Sequence, residues 1–207
     1  MKTWLVIAGM WLASFAIAAA PSFAAEYQSG FGFRISVPED WLVLTRDEVA
    51  ANADAFLGQA GSADLDFIPP EMRRVVYERI VAGELEVFYR RDIAEGSFVD
   101  NVNVLLQEAR LPTTPEHLAQ VCEILPGEFS RVFGRPIAMD ECALRDRIGR
   151  RVLYLQFDGA LEGTTTLQYQ LQKGSSATVI LTATVVTENL PRMLDEFELM
   201  IASIRMN

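Results

Sequence analysis

Residues 167–186 read LQYQLQKGSSATVILTATVV, and apolar side chains occupy every second position through most of this stretch. Glutamines alternate with the apolar residues of the first half, and threonines alternate with most of those in the second half. A period of two buries one face of a β-strand and directs the other face away from that core. A polar turn at residues 173–175 separates the halves, so the stretch predicts two neighbouring antiparallel strands.

The same alternation occurs upstream of this hairpin. Leu153, Leu155 and Phe157 share one face of a further strand, and a short polar turn at residues 159–163 connects this strand to the hairpin. Shorter alternating runs lie at residues 33–37, 85–89 and 102–106, and Pro38 ends the first of them. Each run predicts a strand with one buried face.

Amphipathic helices are predicted between and after these strands. The segments with helical spacing of apolar residues are 46–57, 70–80, 115–134 and 190–204. Thr114 and Pro115 form a strong helix start, and Pro126 predicts a kinked helix or two short ones ending at Gly134. Antiparallel strands with helices grouped between and after them predict an α+β domain: an antiparallel β-sheet flanked by helices on both faces, in an α/β/α sandwich.

The first 24 residues have the layout of a secretory signal peptide. Lys2 precedes an apolar run at residues 4–20, and a small-residue region leads to a cleavage site between Ala24 and Ala25. The alternative is that the run is retained as a membrane anchor, since its length is at the lower limit for a span. We predict a signal peptide at 1–24 and a single domain at 25–207, periplasmic or secreted, with no membrane span in the mature chain.

The mature chain is acidic. The full chain of 207 residues has a net charge of −10, and removal of Lys2 with the signal peptide makes it about −11. This charge repels the phosphates of nucleic acids and disfavours anionic lipid headgroups. Nucleic acid is therefore excluded as an expected partner. The acidic balance is typical of a surface that keeps an exported domain soluble.

The sequence contains two cysteines, Cys122 and Cys142. A disulfide between them would suit an oxidising compartment, and closing a loop of this length stabilises a protein by about 3 kcal/mol. Cys122 also lies on the apolar face of a predicted helix, so two separately buried thiols are the alternative.

Motifs of known catalytic sites are absent from the sequence. His117 is the only histidine, and it lies in the first turn of a predicted helix. No nucleophile elbow, phosphate-binding loop or dinucleotide-binding motif occurs. A single histidine is too few for the ligand sets of ordinary zinc sites. We predict no catalytic residue, no cofactor and no metal.

Two acidic pairs and one basic group are the remaining candidates. Asp64 with Asp66 and Asp140 with Glu141 could act as paired carboxylates or hold calcium, but acids in turns are typical of solvated surface. The basic group is Arg145, Arg147, Arg150 and Arg151. It is interpreted either as a solvated hairpin tip or as a surface for an acidic partner.

Three features of the chain resemble the PsbP-like superfamily, which includes the DcrB-like exported bacterial proteins. They are the segment 33–38 with Trp41 behind it, the strand 100–104 followed by the helix capped at Thr114, and the terminal strands and helix. The resemblance implies an α/β/α sandwich and a non-enzymatic role in binding or assembling macromolecules. The chain lacks the lipid-anchoring cysteine of DcrB-like lipoproteins, and its segment 46–80 is longer than the family core requires, which makes that segment a candidate partner surface.

Two functions follow from these features. The first is an exported, non-enzymatic binding or assembly factor of the bacterial cell envelope, with an envelope protein as its partner. The alternative is an exported carboxylate-dependent hydrolase, which rests only on the acidic pairs and the compartment.

Overall fold

An antiparallel sheet of seven strands forms the centre of the structure. The computed structural model describes residues 23–57, 70–90, 98–147 and 149–207. In chain order the elements are β1 Phe23–Gln28, β2 Phe33–Pro38, β3 Trp41–Leu44, α1 Arg46–Ala51, α2 Ala53–Phe56, α3 Pro70–Val81, β4 Glu86–Arg90, β5 Asn101–Gln107, α4 Pro115–Phe133, β6 Met139–Arg147, β7 Arg150–Asp158, β8 Thr164–Lys173, β9 Ala177–Val186, a short 3₁₀ helix Thr187–Asn189, α5 Leu190–Ser203 and β10 Arg205–Met206.

The large sheet has the strand order β3-β4-β5-β9-β8-β7-β6, and each neighbouring pair is antiparallel. Strands β8 and β9 pair along their full length, from Thr164 opposite Val186 to Lys173 opposite Ala177. The hairpin predicted at residues 167–186 is therefore confirmed, and so is the α+β class with an antiparallel sheet. Period-two alternation is a strong predictor here because each of these strands buries one complete face.

A second sheet of three strands has the order β1-β2-β10. Its central strand carries Phe33, Ile35 and Val37, which are all buried as the alternation predicted. The sequence predicted neither of the strands beside it. Strand β1 begins at Phe23, within the segment assigned to export, and β10 has only two residues, too few to show a period.

Helix α5 covers one face of the large sheet. Its Met193, Phe197, Met200 and Ile201 are fully buried. The side chains they join from both sheets include Phe33, Ile35, Phe88, Val102, Tyr154, Leu167, Tyr169 and Leu181. This cluster is the main core among the described residues, and α5 contributes side chains to it together with strands of both sheets.

Helices cover the opposite face of the large sheet at its two ends. Helix α4 packs over the apolar side chains of β7, which include Leu153 and Leu155. Helices α1 to α3 pack over β3 and β4, where Val49 and Ile80 contribute to a cluster with Val87. Helices therefore flank both sheet faces, which confirms the predicted α/β/α arrangement.

Helix α4 is one continuous helix rather than two, although Pro126 lies inside it. Thr114 caps its start by accepting a hydrogen bond from the backbone N–H of His117, and Gly134 ends it in the left-handed conformation at φ 68°. Both halves send apolar side chains to the same cluster, so packing favours a single helix through the proline. None of the helices in the described ranges is long and apolar enough to cross a membrane.

The segment predicted as one helix at 46–57 forms two short helices, α1 and α2, with Asn52 between them. Asparagine has a low helix propensity, and the structure gives no further reason for the break. Val49 and Phe56 nevertheless stay buried in the same cluster, as their spacing predicted. The neighbouring residues 58–69 lie outside the described residues.

Candidate functional site: an arginine-lined cleft beside the β6–β7 hairpin

The basic group at residues 145–151 occupies both strands of the β6–β7 hairpin. Arg145 and Arg147 lie on β6, and Arg147 is directly opposite Arg150, the first residue of β7. Gly149 between them has φ 68°, a conformation that glycine adopts without steric cost. Because facing residues of an antiparallel pair share one face, Arg147 and Arg150 project to the same side of the hairpin.

Arg145 is engaged inside the protein. Its guanidinium carbon lies 3.5 Å from the centre of the Tyr154 ring, a cation–π contact. Its Nη2 lies 2.7 Å from Oε2 of Glu141, and its Nη1 lies 3.3 Å from Oε1 of Glu198 on α5. Two carboxylates and an aromatic ring therefore neutralise and orient this arginine.

Glu198 joins the hairpin to helix α5. Its Oε2 accepts a hydrogen bond from Nε of Arg147 at 3.1 Å, and its Oε1 accepts one from the phenol of Tyr169 on β8. The same carboxylate also pairs with Arg145. This network fixes the position of the hairpin relative to α5, because one side chain binds groups from two strands.

The two tyrosines of this network are protonated at neutral pH. Burial raises the pKa of Tyr154 to about 12. Burial, followed by the hydrogen bond to Glu198, also raises the pKa of Tyr169. These phenols therefore act as hydrogen-bond donors and packing groups, and neither is activated as a nucleophile or base.

A cleft of about 420 Å³ opens where the hairpin, the end of α5 and strand β10 meet. Its lining residues are Arg150, Ala202, Ile204, Arg205 and Met206. Ala202 belongs to the last turn of α5, and Arg205 with Met206 forms β10. Two guanidinium groups and an apolar wall thus come together from separate parts of the chain.

Backbone carbonyls hold Arg205 in the cleft. Its Nη1 donates to the carbonyl oxygens of Ala202 at 3.1 Å and Ile204 at 2.9 Å. A cation at the C-terminal end of α5 is also favoured by the helix dipole. Arg205 lies directly opposite Arg34 of β2, so a second pair of arginines faces the same side of a sheet.

The two facing arginine pairs share one feature. In each pair one member has a carboxylate partner. Arg147 pairs with Glu198, and Nη1 of Arg34 lies 3.2 Å from Oε2 of Glu26. The other member lines the cleft. Within the described ranges no carboxylate forms an ion pair with Arg150 or Arg205. The cleft therefore carries positive charge that the described part of the fold leaves uncompensated.

The placement of Asp140 and Glu141 in a turn was wrong, because both lie on strand β6. Asp140 accepts a hydrogen bond from Gln156 at 3.3 Å, whereas Glu141 pairs with Arg145. The two carboxylates thus bind different partners. Asp64 and Asp66 lie outside the described residues, so that pair stays a prediction.

His117 stands apart from these charged groups, in the first turn of α4, where its side chain is exposed. In the part of the chain that the structure describes, no three side chains of histidine, cysteine, aspartate or glutamate group as metal ligands.

Cys122 and Cys142 form a disulfide, with 5.7 Å between their Cα atoms. The bond joins α4 to the edge strand β6 of the large sheet.

The candidate cleavage residues Ala24 and Ala25 lie in β1, so cleavage between them would leave Ala25–Gln28 able to pair with β2. Residues 1–22 lie outside the described residues, and cleavage stays a prediction.

Sequence reasoning missed Arg205 as a site residue. The predicted last helix ran through Ile204, but α5 ends at Ser203 and the chain turns into β10. No periodic signal in the last residues marks this change. Only the isolated positive charge of Arg205 among apolar neighbours could have drawn attention to it.

No family model and no curated protein matches this sequence. Among solved structures, the chain is similar to cyanobacterial PsbP (CyanoP) from Synechocystis sp. PCC 6803, with 13% identity, a TM-score of 0.53, and coverage of 95% of this chain and 99% of that one. Two looser similarities are to LpqN of Mycobacterium tuberculosis, described as involved in cell envelope biogenesis, and to the Saccharomyces cerevisiae Ran-binding protein Mog1p. For LpqN the identity is 12% and the TM-score is 0.49, and the match covers 88% of this chain and 90% of that one. For Mog1p the identity is 10% and the TM-score is 0.46, and the match covers 89% of this chain and 96% of that one.

The similarity to CyanoP extends over nearly the whole of both chains, and it agrees with the features that the sequence shares with the superfamily. At this level of identity a structural likeness establishes fold and leaves function open. The chain therefore has the PsbP-like fold.

Proposed function

We propose that this chain is an exported, non-enzymatic binding or assembly factor of the bacterial cell envelope. The observation that carries the proposal is the cleft between Arg150 and Arg205, an uncompensated basic site on a protein of net charge −10. Residues that lower stability without an internal partner are typical of functional sites. A surface of this kind suits recognition, because it offers fixed charge to a partner that supplies the opposite sign.

Three further features support the proposal. The signal-like segment and the disulfide between Cys122 and Cys142 suit a protein that folds in an oxidising compartment. The chain has the PsbP-like fold, and its resemblance to that superfamily implies a role in binding or assembling other macromolecules. The tyrosines of the Glu198 network have raised pKa values, which suits structural support better than bond-making chemistry.

The test is recovery of a partner. The mature chain, tagged at its N-terminus, is expressed with its export signal, cross-linked in intact cells and purified from envelope extracts. We expect one or a few envelope proteins to be enriched over a control in which an unrelated exported domain carries the same tag. Absence of any enriched protein, or turnover on glycan and ester panels that Asp140→Asn abolishes in a folded protein, would overturn the proposal.

A further inference from the structure

We infer that the cleft binds an acidic segment of the partner protein, in which an Asp or Glu carboxylate lies between Arg150 and Arg205 and the next apolar side chain packs on Ala202 and Met206. This inference rests on the proposed function and specifies the chemistry of its partner. It follows from the charge, the rigidity and the lining of the cleft.

The charge of the cleft favours a carboxylate. Arg150 faces Arg147, and Arg205 faces Arg34, so each cleft arginine has a like charge directly across the strand pair. Facing like charges destabilise a sheet. Glu198 and Glu26 offset one arginine of each pair. A carboxylate from outside would offset the other two at once, and guanidinium groups bind carboxylates in a bidentate geometry.

The guanidinium of Arg205 is positioned before a ligand arrives. Two carbonyl oxygens hold the guanidinium of Arg205 through a single nitrogen, Nη1, which leaves its Nε and Nη2 without a hydrogen-bond acceptor among the described residues. Arg150 begins the strand that follows Arg147, and Glu198 fixes Arg147 to α5. Positioning in advance lowers the entropy that binding must overcome.

The lining selects a ligand that is only partly charged. Ala202 and Met206 supply apolar surface beside the arginines, and a volume of about 420 Å³ accommodates a few side chains rather than a large cofactor. A carboxylate side chain followed by an apolar one matches both parts of the cleft.

The net charge of −10 favours a protein segment over an anionic membrane surface. A lipid surface presents many negative charges to a protein that is itself acidic, whereas a short segment brings one carboxylate to the cleft. At physiological salt, charges more than about 8 Å apart are largely screened, so a local carboxylate binds without strong repulsion from the rest of the chain.

The experiment uses a fluorescein-labelled peptide of alternating glutamate and leucine with blocked ends, and a second peptide with glutamine in place of glutamate. Both are titrated against the mature protein by fluorescence anisotropy, and NMR of the ¹⁵N-labelled protein locates the site. We expect the glutamate peptide to shift the amide signals of residues 150 and 202–206. We also expect it to bind about tenfold or more tightly than the glutamine peptide.

The variants are Arg150→Gln, Arg205→Gln and the double change. Each single change should weaken the glutamate peptide about tenfold, because it removes one charge-assisted contact. The matched control is Arg151→Gln, since Arg151 is the next residue of β7 but projects to the opposite face, across from Asp146. The control should bind within about twofold of the unchanged protein. Arg150 and Arg205 are exposed, so thermal unfolding should show that all variants fold.

Three outcomes would overturn the inference. They are equal binding of the two peptides, an equal loss in Arg151→Gln, and binding of phosphatidylglycerol vesicles through Arg150 and Arg205 without binding of the peptide. Failure of the proposed function is distinguishable: if the double variant still recovers the envelope partner, only the assignment of the cleft fails. If the unchanged protein recovers no partner, the binding role itself fails.

Discussion

The guanidinium of Arg145 lies over the ring of Tyr154, with 3.5 Å between the guanidinium carbon and the ring centre. The two residues belong to neighbouring strands, and the contact is closed by ion pairs from Arg145 to Glu141 and Glu198. Arg145 belongs to the basic group that the sequence analysis considered as a surface for an acidic partner, but its guanidinium binds groups of this protein instead. The network leaves out Arg150 and Arg151. Arg151 projects to the opposite face of the hairpin, so the surface proposed for recognition consists of Arg150 together with Arg205.

The first prediction concerns Glu198, whose carboxylate binds both Arg145 and Arg147. Glu198→Gln keeps the shape of the side chain but removes its charge, so we expect a loss of about 1–2 kcal/mol in the free energy of unfolding. Urea unfolding measures this. The control is Glu188→Gln, an exposed glutamate that forms no ion pair among the described residues, and it should change stability by less than about 0.5 kcal/mol. Equal effects of the two changes would contradict the proposed structural role of Glu198.

The second prediction is a loss of stability in alkali. The pKa of Tyr154 is about 12 in the folded state, whereas the ordinary pKa of a tyrosine is 10.0. The unfolded chain therefore loses protons first as the pH rises, and linkage requires the free energy of unfolding to fall between pH 10.0 and about 12. Below pH 10.0 this contribution is fully present.

Tyr154→Phe tests this dependence, because phenylalanine cannot ionise. The variant should show a shallower fall in the free energy of unfolding over the same range, measured by urea unfolding at several pH values. Tyrosinate absorbance of the folded protein provides an independent measure. An unchanged slope in the variant would show that Tyr154 ionises as easily in the fold as in the unfolded chain.

The third prediction concerns the disulfide between Cys122 and Cys142. Intact-mass measurement after alkylation of the native, unreduced protein should find no free thiol, and both should label after reduction. Replacing both cysteines with serine should lower the free energy of unfolding by about 3 kcal/mol, because the bond restricts the unfolded chain. Reductant should destabilise the unchanged protein and have no effect on the double-serine variant. Two alkylated thiols without reductant would contradict the pairing.

The fourth prediction concerns Arg90, which is buried at the end of β4. Its side chain is 7% exposed and pairs with Asp40 at 3.0 Å and with Glu196 on α5 at 2.9 Å. Arg90→Met should destabilise the protein by about 2–4 kcal/mol, because Glu196 would keep a largely buried charge without this partner. The control is Arg74→Met on α3, whose side chain is 77% exposed. Thermal unfolding compares the two, and a similar shift for both would contradict a structural role for the buried pair.

The fifth prediction concerns the main core. Phe197 on α5 is fully buried, and its ring packs edge-on against Tyr169 with 5.3 Å between ring centres. Phe197→Ala should lower the free energy of unfolding by about 3–5 kcal/mol, since it removes a large side chain from a packed cluster. Leu199→Ala, two residues along the same helix, is the control, because Leu199 is 42% exposed. A comparable loss in the control would contradict burial in the main core as the source of the effect.

Strand and helix prediction succeeded where an element buries one complete face. The alternation in β8 and β9 and the three-and-four spacing in α5 each report burial directly, because the side chains of one face point into the core. Prediction failed for β6, β1 and β10. Strand β6 is an edge strand whose residues are mostly half-buried, and β10 has two residues, so neither shows a clear period.

The candidate site was only partly predictable for a related reason. The sequence offered Arg150 among four neighbouring basic residues, but it could not separate those that have internal partners from those that do not. That separation depends on Glu198, which reaches the hairpin from α5, and on Glu26, which comes from β1. Arg205 lacked any periodic signal, because its importance comes from lying opposite Arg34 and lining the same cleft as Arg150.

The amino-acid sequence by itself determined the class of the fold, the antiparallel hairpins and the amphipathic helices. The reason is that a strand or helix with one buried face has apolar residues at a regular spacing along the chain. The second sheet, the charge network around Glu198 and the cleft between Arg150 and Arg205 were decided only by tertiary structure. The physical reason is distance along the chain: ion pairs and clefts depend on side chains that folding brings together from separate elements, and no local pattern records which charge will meet which partner.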